Sequence, residues 1–151
     1  MEEKNNQQNI DITKFRHRAD IQLRFNDVDV LGHVNNTVYF SFYDTGKALY
    51  FSAIHGKRMS WEKVDRIIAN INCAFMAPII YGEEIEVLTR CTAMGNKSFT
   101  LEQLLREKNT GEIKSHATTV MVSYDPDTHR SQPLPETTRR EIAIYEGLPL
   151  L

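Results

Sequence analysis

The chain has 151 residues, the size of one ordinary domain and enough to bury a core of its own. With 41% hydrophobic and 25% charged residues its composition is globular, which excludes a disordered chain. A formal net charge of −2 gives no basic field for nucleic acid or an anionic membrane, so a polyanionic ligand needs a local cluster of donors.

The polar start, Met1-Glu-Glu-Lys-Asn-Asn-Gln-Gln-Asn9, lacks the apolar stretch of a secretory signal, and residues 1–17 are expected as a flexible tail. No window holds the roughly 18 consecutive apolar residues of a membrane-spanning helix, and a cytoplasmic location is expected. A first strand is predicted from Arg18 to Phe25, ending at the polar pair Asn26-Asp27. After a loop containing Gly32, residues 35–54 predict a helix, because Val38, Phe42, Thr45, Leu49 and Ala53 recur at steps of three and four. Asn35 or Asn36 can cap its start, and His55-Gly56 supplies a stop. Tyr39, Phe40, Tyr43, Tyr50, Phe51 and Ile54 carry apolar character round most of the circumference, so other structure is expected to wrap this helix. Gly46 in its middle costs about 1 kcal/mol against Ala, which predicts a neighbour packed close against it.

The remaining chain reads as a sheet. Ile67, Ala69, Ile71, Cys73 and Phe75 alternate with Asn70 and Asn72 over Arg66–Met76. Pro78 and Tyr81-Gly82-Glu83 interrupt the pattern, and Ile85, Val87, Thr89 and Cys91 resume it. Gly95-Asn96 and Asn109-Thr-Gly111 read as hairpin turns flanking a strand over Ser98–Glu107, followed by a long strand over Glu112–Tyr124. One strand, one buried helix and four antiparallel strands make an α+β pattern, with the strands expected as a meander. A short helix is expected between Pro135 and Glu146. The organisation expected is thus a tail over 1–17, one domain over 18–125, and an extension over 126–151 packed on that domain. Cys73 and Cys91 belong to no CxxC pair and are read as reduced and buried. His17, His55, His116 and His129 show no metal-ligand spacing, and no metal site is expected.

The segment that carries chemistry is Asp27-Val-Asp29-Val-Leu-Gly32-His33-Val-Asn35-Asn36-Thr-Val-Tyr39. A carboxylate just before a helix can act as base or nucleophile on a carbonyl. Unpaired N–H groups in the first helical turn can receive the oxyanion that forms. Taken alone, Asp27 and Asp29 are also ordinary turn or capping residues, and Asn35 and Asn36 are caps whatever the function.

The run resembles the 4-hydroxybenzoyl-CoA thioesterase-like branch of the hot-dog superfamily, and its Asp-x-x-x-His-Val-Asn-Asn part resembles plant acyl-carrier-protein thioesterases. Tyr-Gly-Glu-Glu84 before a strand and Gly-Asn-Lys-Ser-Phe99 at a hairpin extend the resemblance. It implies a five-stranded antiparallel sheet wrapped around one long central helix. It implies hydrolysis of an acyl-CoA or acyl-carrier-protein thioester with Asp29 catalytic, an amide near Asn36 polarising the carbonyl, and His33 in the site. Asp27 is read as structural. Substrate contacts fall on Asn35, Asp44, Lys97 and Ser98, the last two where relatives meet coenzyme phosphates. Asp44 and Lys47 stand where the family often has Glu and Arg, and Lys cannot make the planar two-point contact of Arg. No cofactor is implied beyond the coenzyme A of the substrate. A homodimer or a tetramer of dimers is implied, with no nucleic acid or membrane partner. Two other readings stay open: a hot-dog dehydratase or hydratase, and a non-catalytic acyl-CoA-binding sensor.

Overall fold

The structure, a computed structural model, describes residues 9–56 and 65–149. Strand β1 (His17–Ile21) is followed by a 3-10 turn at Phe25–Asp27 and by helix α1 (Asn36–His55). Strands β2 (Arg66–Phe75), β3 (Ile85–Met94), β4 (Ser98–Glu107) and β5 (Ile113–Asp125) come next, then the short β6 (Arg130–Ser131) and helix α2 (Glu136–Glu146). The sheet runs β1-β3-β4-β5-β2, with every pairing antiparallel, and β6 adds to β5. The α+β arrangement expected, a sheet around one long helix, is what forms.

Three sequence expectations about the strands and the long helix need correction. The first strand stops at Ile21, because residues 25–27 turn to close a hydrogen-bonded ring on Asp27. The strands are not a simple meander: β2 lies beyond β5 at the sheet edge, and the chain crosses back to begin β3. Its alternation fails too, since the pairing shifts between Ile68 and Asn70 and leaves Ile67, Ile68 and Phe75 exposed. An edge strand needs no fully buried face, so period-two apolarity there does not report depth. The third correction concerns α1, whose buried residues are Tyr39, Phe42, Tyr43, Gly46, Lys47, Tyr50 and Phe51. The predicted stripe is rotated away: Thr45, Leu49 and Ala53 are exposed and only Phe42 is shared. On a helix apolar nearly all round, the largest rings win the interior because they remove the most surface from water.

Local chemistry explains the ends of α1. The Asn35 side chain accepts from Thr37 N–H at 2.9 Å, and Gly56 closes the helix in a left-handed conformation. Gly46 behaves as predicted. A Cβ there would lie 2.7 Å from Val87 Cγ2, so β3 can approach α1 only over a missing side chain.

The core divides along the helix. Around its first half, Tyr39, Phe42 and Tyr43 pack with Val34, Ile79, Ile85, Val87 and Leu105. Around its second half, Tyr50 and Phe51 pack with Cys91, Phe99, Leu101 and Met121, closed by Leu134 and Ile142 from the extension and α2. On the outer face of the sheet, Leu88, Leu104 and Ile113 are covered by Phe15, with Ile10 and Ile12 beside it. Residues 10–15, within the stretch read as a tail, therefore pack on the sheet. Cys73 and Cys91 are both free thiols; Cys91 is buried, whereas Cys73 is only half-buried on the edge strand.

Candidate active site

The segment singled out in the sequence forms a tight turn leading into α1. Asp29 N–H donates to His33 O at 2.8 Å, and Gly32 N–H donates to Asp29 O at 3.1 Å. The Asp29 carboxylate oxygen Oδ1 accepts from Leu31 N–H at 2.9 Å. Gly32 makes the turn possible with φ of +78°, a conformation most side chains resist. Val28 and Val34 pair across the turn, and Val34 is buried. The half-buried Asp29 keeps its second carboxylate oxygen free of described partners.

Asp27 has a different task. It is 1% exposed, accepts from Arg24 N–H at 2.8 Å, and pairs with the Arg24 guanidinium at 2.9 Å. Its carbonyl accepts from Asn35 N–H at 2.8 Å, which ties the helix start to the 3-10 turn at Phe25–Asp27. The structural reading of Asp27 thus has concrete partners. Asn35 Oδ1 is occupied by Thr37, as a cap. The next amide, Asn36 N–H, donates to no described residue and is free in the first turn of a 20-residue helix. His33 is half-buried, and its ring makes no hydrogen bond to a described residue.

A second segment holds this turn from beneath. Val34 N–H donates to Ile79 O at 2.8 Å, and His33 pairs with Ile80. Tyr39, one turn into α1, accepts from Ile79 N–H at 3.3 Å and donates to Ala77 O at 3.4 Å. Burial raises the Tyr39 pKa against the opposing pull of the Ile79 amide, so the phenol stays neutral and can donate. The buried Lys114 reaches the same segment through Pro78 O and Glu83. Sequence reasoning missed Tyr39 and Lys114 as supports. Tyr39 looked like core, and Lys114 carried no motif; only Glu83 lay within a sequence mark.

Asp44 and Lys47 pair with each other at 3.2 Å, the Asp44 side chain mostly exposed and the Lys47 side chain 6% exposed. They lie two and three turns along α1 from Asn36. Lys97 and Ser98 sit at the β3–β4 hairpin, where Lys97 O accepts from Ser123 N–H and Gly95 N–H donates to Ser98 O. That hairpin adjoins Phe99 in the core around the far half of α1, so within one chain it is not brought to Asp29. A cleft of about 460 Å³ opens between β1 and the Tyr81–Ile85 stretch, lined by Gln22, Leu23, Tyr81, Glu83 and Lys108 among others. A second of about 410 Å³ lies between the end of β1 and Ser41, Phe42 and Thr45 of α1. Neither is lined by Asp29, His33 or Asn36. Among the described residues no group of three or more His, Cys, Asp or Glu could hold a metal ion.

The turn that carries Asp29 thus leads into a 20-residue helix whose first amide has no described acceptor. The sequence signature of the thioesterase-like superfamily matches residues 23–142. The chain belongs to the thioesterase-like superfamily. Among solved structures it is similar to a thioesterase from Thermus thermophilus, crystallised with coenzyme A and Zn. That likeness has a TM-score of 0.79 and 31% identity, covering 91% of this chain and 98% of the other. Two further relatives are similar in sequence. The uncharacterized protein YsmA of Bacillus subtilis is 26% identical over 120 residues, 79% of this chain and 80% of that protein. The long-chain acyl-CoA thioesterase FadM of Escherichia coli is 21% identical over 128 residues, 83% of this chain and 96% of that protein. The fold of this thioesterase-like chain is therefore the hot-dog fold.

Proposed function

We propose that this protein hydrolyses an acyl-CoA thioester to the free acid and coenzyme A, with Asp29 as the acting carboxylate and Asn36 N–H as oxyanion donor. Family membership supports thioester hydrolysis in general. The observation that carries the finer reading is the pairing of a turn-held carboxylate having one free oxygen with the free first amide of α1. In the step we favour, Asp29 takes a proton from water and the hydroxide adds to the thioester carbon. The oxygen of the tetrahedral intermediate accepts from Asn36 N–H, at the positive end of the helix dipole. The carbonyl re-forms, the carbon–sulfur bond breaks, and the proton passes to the departing thiolate. Attack by Asp29 itself, through an anhydride that water then opens, uses the same two groups. His33, beside the turn, is read as orienting water or the thioester.

Coenzyme A is preferred to a carrier protein because the solved relative at 31% identity carries coenzyme A. We also infer a homodimer formed along β2, an unpaired edge of ten residues with Ile67, Ile68 and Phe75 exposed. Lys97 and Ser98, remote from Asp29 in one chain, then serve coenzyme phosphates only across such an interface. The compartment we assign is the cytoplasm; no described helix is long and apolar enough to cross a membrane. The test is a panel of acyl-CoAs of varied chain length, with aryl and hydroxylated acyl groups, read by release of free thiol. We expect turnover with at least one class, and a loss of about 100-fold or more in kcat for Asp29→Asn with folding intact. Silence across the panel would defeat the hydrolase reading, and undiminished turnover in Asp29→Asn would remove that residue from the mechanism.

A further inference from the structure

Lys114 is a buried lysine, 3% exposed, near the start of β5, and most of its polar contacts fall on one stretch of chain. Its carbonyl accepts from Met76 N–H at 2.9 Å and from Ala77 N–H at 3.1 Å. Its Nζ donates to Pro78 O at 3.0 Å and lies 2.9 Å from Glu83 Oε2. The other Glu83 oxygen, Oε1, accepts from Ile80 N–H at 2.6 Å, and Glu83 N–H donates back to Ile80 O at 3.1 Å. The Lys114 carbonyl thus fastens Met76 and Ala77, its ammonium fastens Pro78 and Glu83, and the Glu83 carboxylate fastens Ile80.

This stretch is the floor of the catalytic turn. Ile79 O accepts from Val34 N–H, Ile80 pairs with His33, and His33 O accepts from Asp29 N–H. An unbroken series of contacts therefore runs from Lys114 through Glu83, Ile80 and His33 to Asp29. We propose that the Lys114–Glu83 ion pair is a positioning device, setting residues 76–83 against the turn and so placing Asp29 relative to the Asn36 amide. The proposal rests on the reading of Asp29 given above. An ion pair between a buried lysine and a half-buried glutamate is a poor source of net stability, because desolvation of the lysine offsets much of the attraction. Its value lies in geometry, since the ammonium held between Pro78 O and Glu83 ties residues 78–83 to the start of β5. Burial alone lowers the Lys114 pKa, but hydrogen bonds to Glu112 and Glu83 outweigh it, so the side chain stays charged through neutral pH.

The second carboxylate on Lys114 supplies the control. Glu112 also pairs with Nζ, but it stands at the β4–β5 turn and, among the described residues, makes no hydrogen bond or ion pair with residues 76–83. If Lys114 merely needs a counter-ion, Glu83→Gln and Glu112→Gln should behave alike; if Glu83 positions the turn, only Glu83→Gln should slow the reaction.

The experiment compares wild type, Glu83→Gln, Glu112→Gln, Lys114→Met and Lys114→Arg on the best acyl-CoA of the panel, together with amide hydrogen exchange at Val34 and Ile80. Misplacement of about 1 Å can cost about 100-fold, so we expect kcat to fall about 10- to 100-fold in Glu83→Gln and Lys114→Met, with KM within about twofold. Exchange at Val34 and Ile80 should quicken in both, Lys114→Arg should recover part of kcat, and Glu112→Gln should stay within about twofold of wild type. Equal losses in the two glutamine variants, or wild-type kcat with unchanged exchange in Glu83→Gln, would overturn the proposal. If Lys114→Met does not fold, Glu83→Gln decides alone. A wild type without turnover would defeat the hydrolase reading, while exchange at Val34 would still decide whether the pair holds the turn.

Discussion

At the scale of single residues, two aspartates two positions apart are given opposite work by their neighbours. Asp27 is enclosed and satisfied by Arg24 on both backbone and side chain, whereas Asp29 has one oxygen held by Leu31 N–H and one without a described partner. That difference supports the proposal that Asp29, rather than Asp27, is the acting carboxylate. Gly46 illustrates how a residue can serve by what it lacks. Gly46→Ala brings a Cβ to 2.7 Å from Val87 and 3.0 Å from Gln103, both on buried strands. Helix propensity favours the substitution by about 1 kcal/mol, and overpacking opposes it by about 1–3 kcal/mol. We expect a net loss of stability, read as a lower urea midpoint with unchanged slope. A midpoint at or above wild type would show that α1 can lift from β3 without cost.

Elements come next, and here α1 organises everything else. Its first half carries Tyr39 to the segment under the turn, and its second half carries Tyr50 into a cluster that joins β1, β3 and α2. Tyr50 donates to Glu146 Oε1 at 2.7 Å and accepts from Cys91 N–H at 3.1 Å. His17 of β1 packs edge-on against the Tyr50 ring, 5.7 Å between centroids, and its Nδ1 is buried without a hydrogen-bond partner. Burial lowers the His17 pKa, so the folded protein takes up this proton less readily than the unfolded chain. The contribution is therefore complete above the ordinary histidine pKa of about 6.5 and is lost as pH falls toward the folded value. Urea unfolding between pH 7.5 and 5.5 should show declining stability, with a shallower decline in His17→Phe. An identical slope in the variant would assign the pH dependence to other groups. Helices and hairpins were legible in the sequence because their signals are local: Asn35 caps, Gly56 stops, and Gly95 and Gly111 turn. The rotation of α1 was not legible, since a helix with aromatic residues on several sides has no contrast for periodicity to report. The place of β2 was equally hidden, because strand pairing is chosen among distant segments and the alternation of Ile67 to Phe75 is the same at a centre or an edge.

For the molecule as a whole, the sheet leaves β2, paired with β5 on one side, as an edge with no second strand among the described residues, and Ile67, Ile68 and Phe75 on it are exposed. Edges of this length are normally covered or blunted. We expect a homodimer by sedimentation, and Ile68→Glu should shift it toward monomer while leaving the monomer folded. A wild type that sediments as a monomer at every concentration would reject the edge-to-edge assembly. The site shares this dependence on the larger scale. Asp29, His33, Asn35 and Asn36 come together because they are neighbours in one turn and cap, and such a run can be read from sequence. Asp44 and Lys47 could be placed on the helix but not seen to pair, with the lysine buried and the aspartate exposed. Lys97 and Ser98 lie by the far half of the helix, a separation that sequence spacing does not reveal.

Composition, local turn chemistry and the Asp27–Asn36 run by themselves determined the domain class, the helix and its cap, the hairpins and the family. Each of these depends on interactions between residues a few positions apart. Only the tertiary structure decided which side of α1 is buried, which strands are the edges, and which groups contact the segment beneath the Asp29 turn. Those outcomes follow from competition among distant surfaces for a limited interior, where the largest rings take the core and a lone ammonium must find its carboxylates. Lys114 and Glu83 are 31 positions apart in sequence and 2.9 Å apart in the fold.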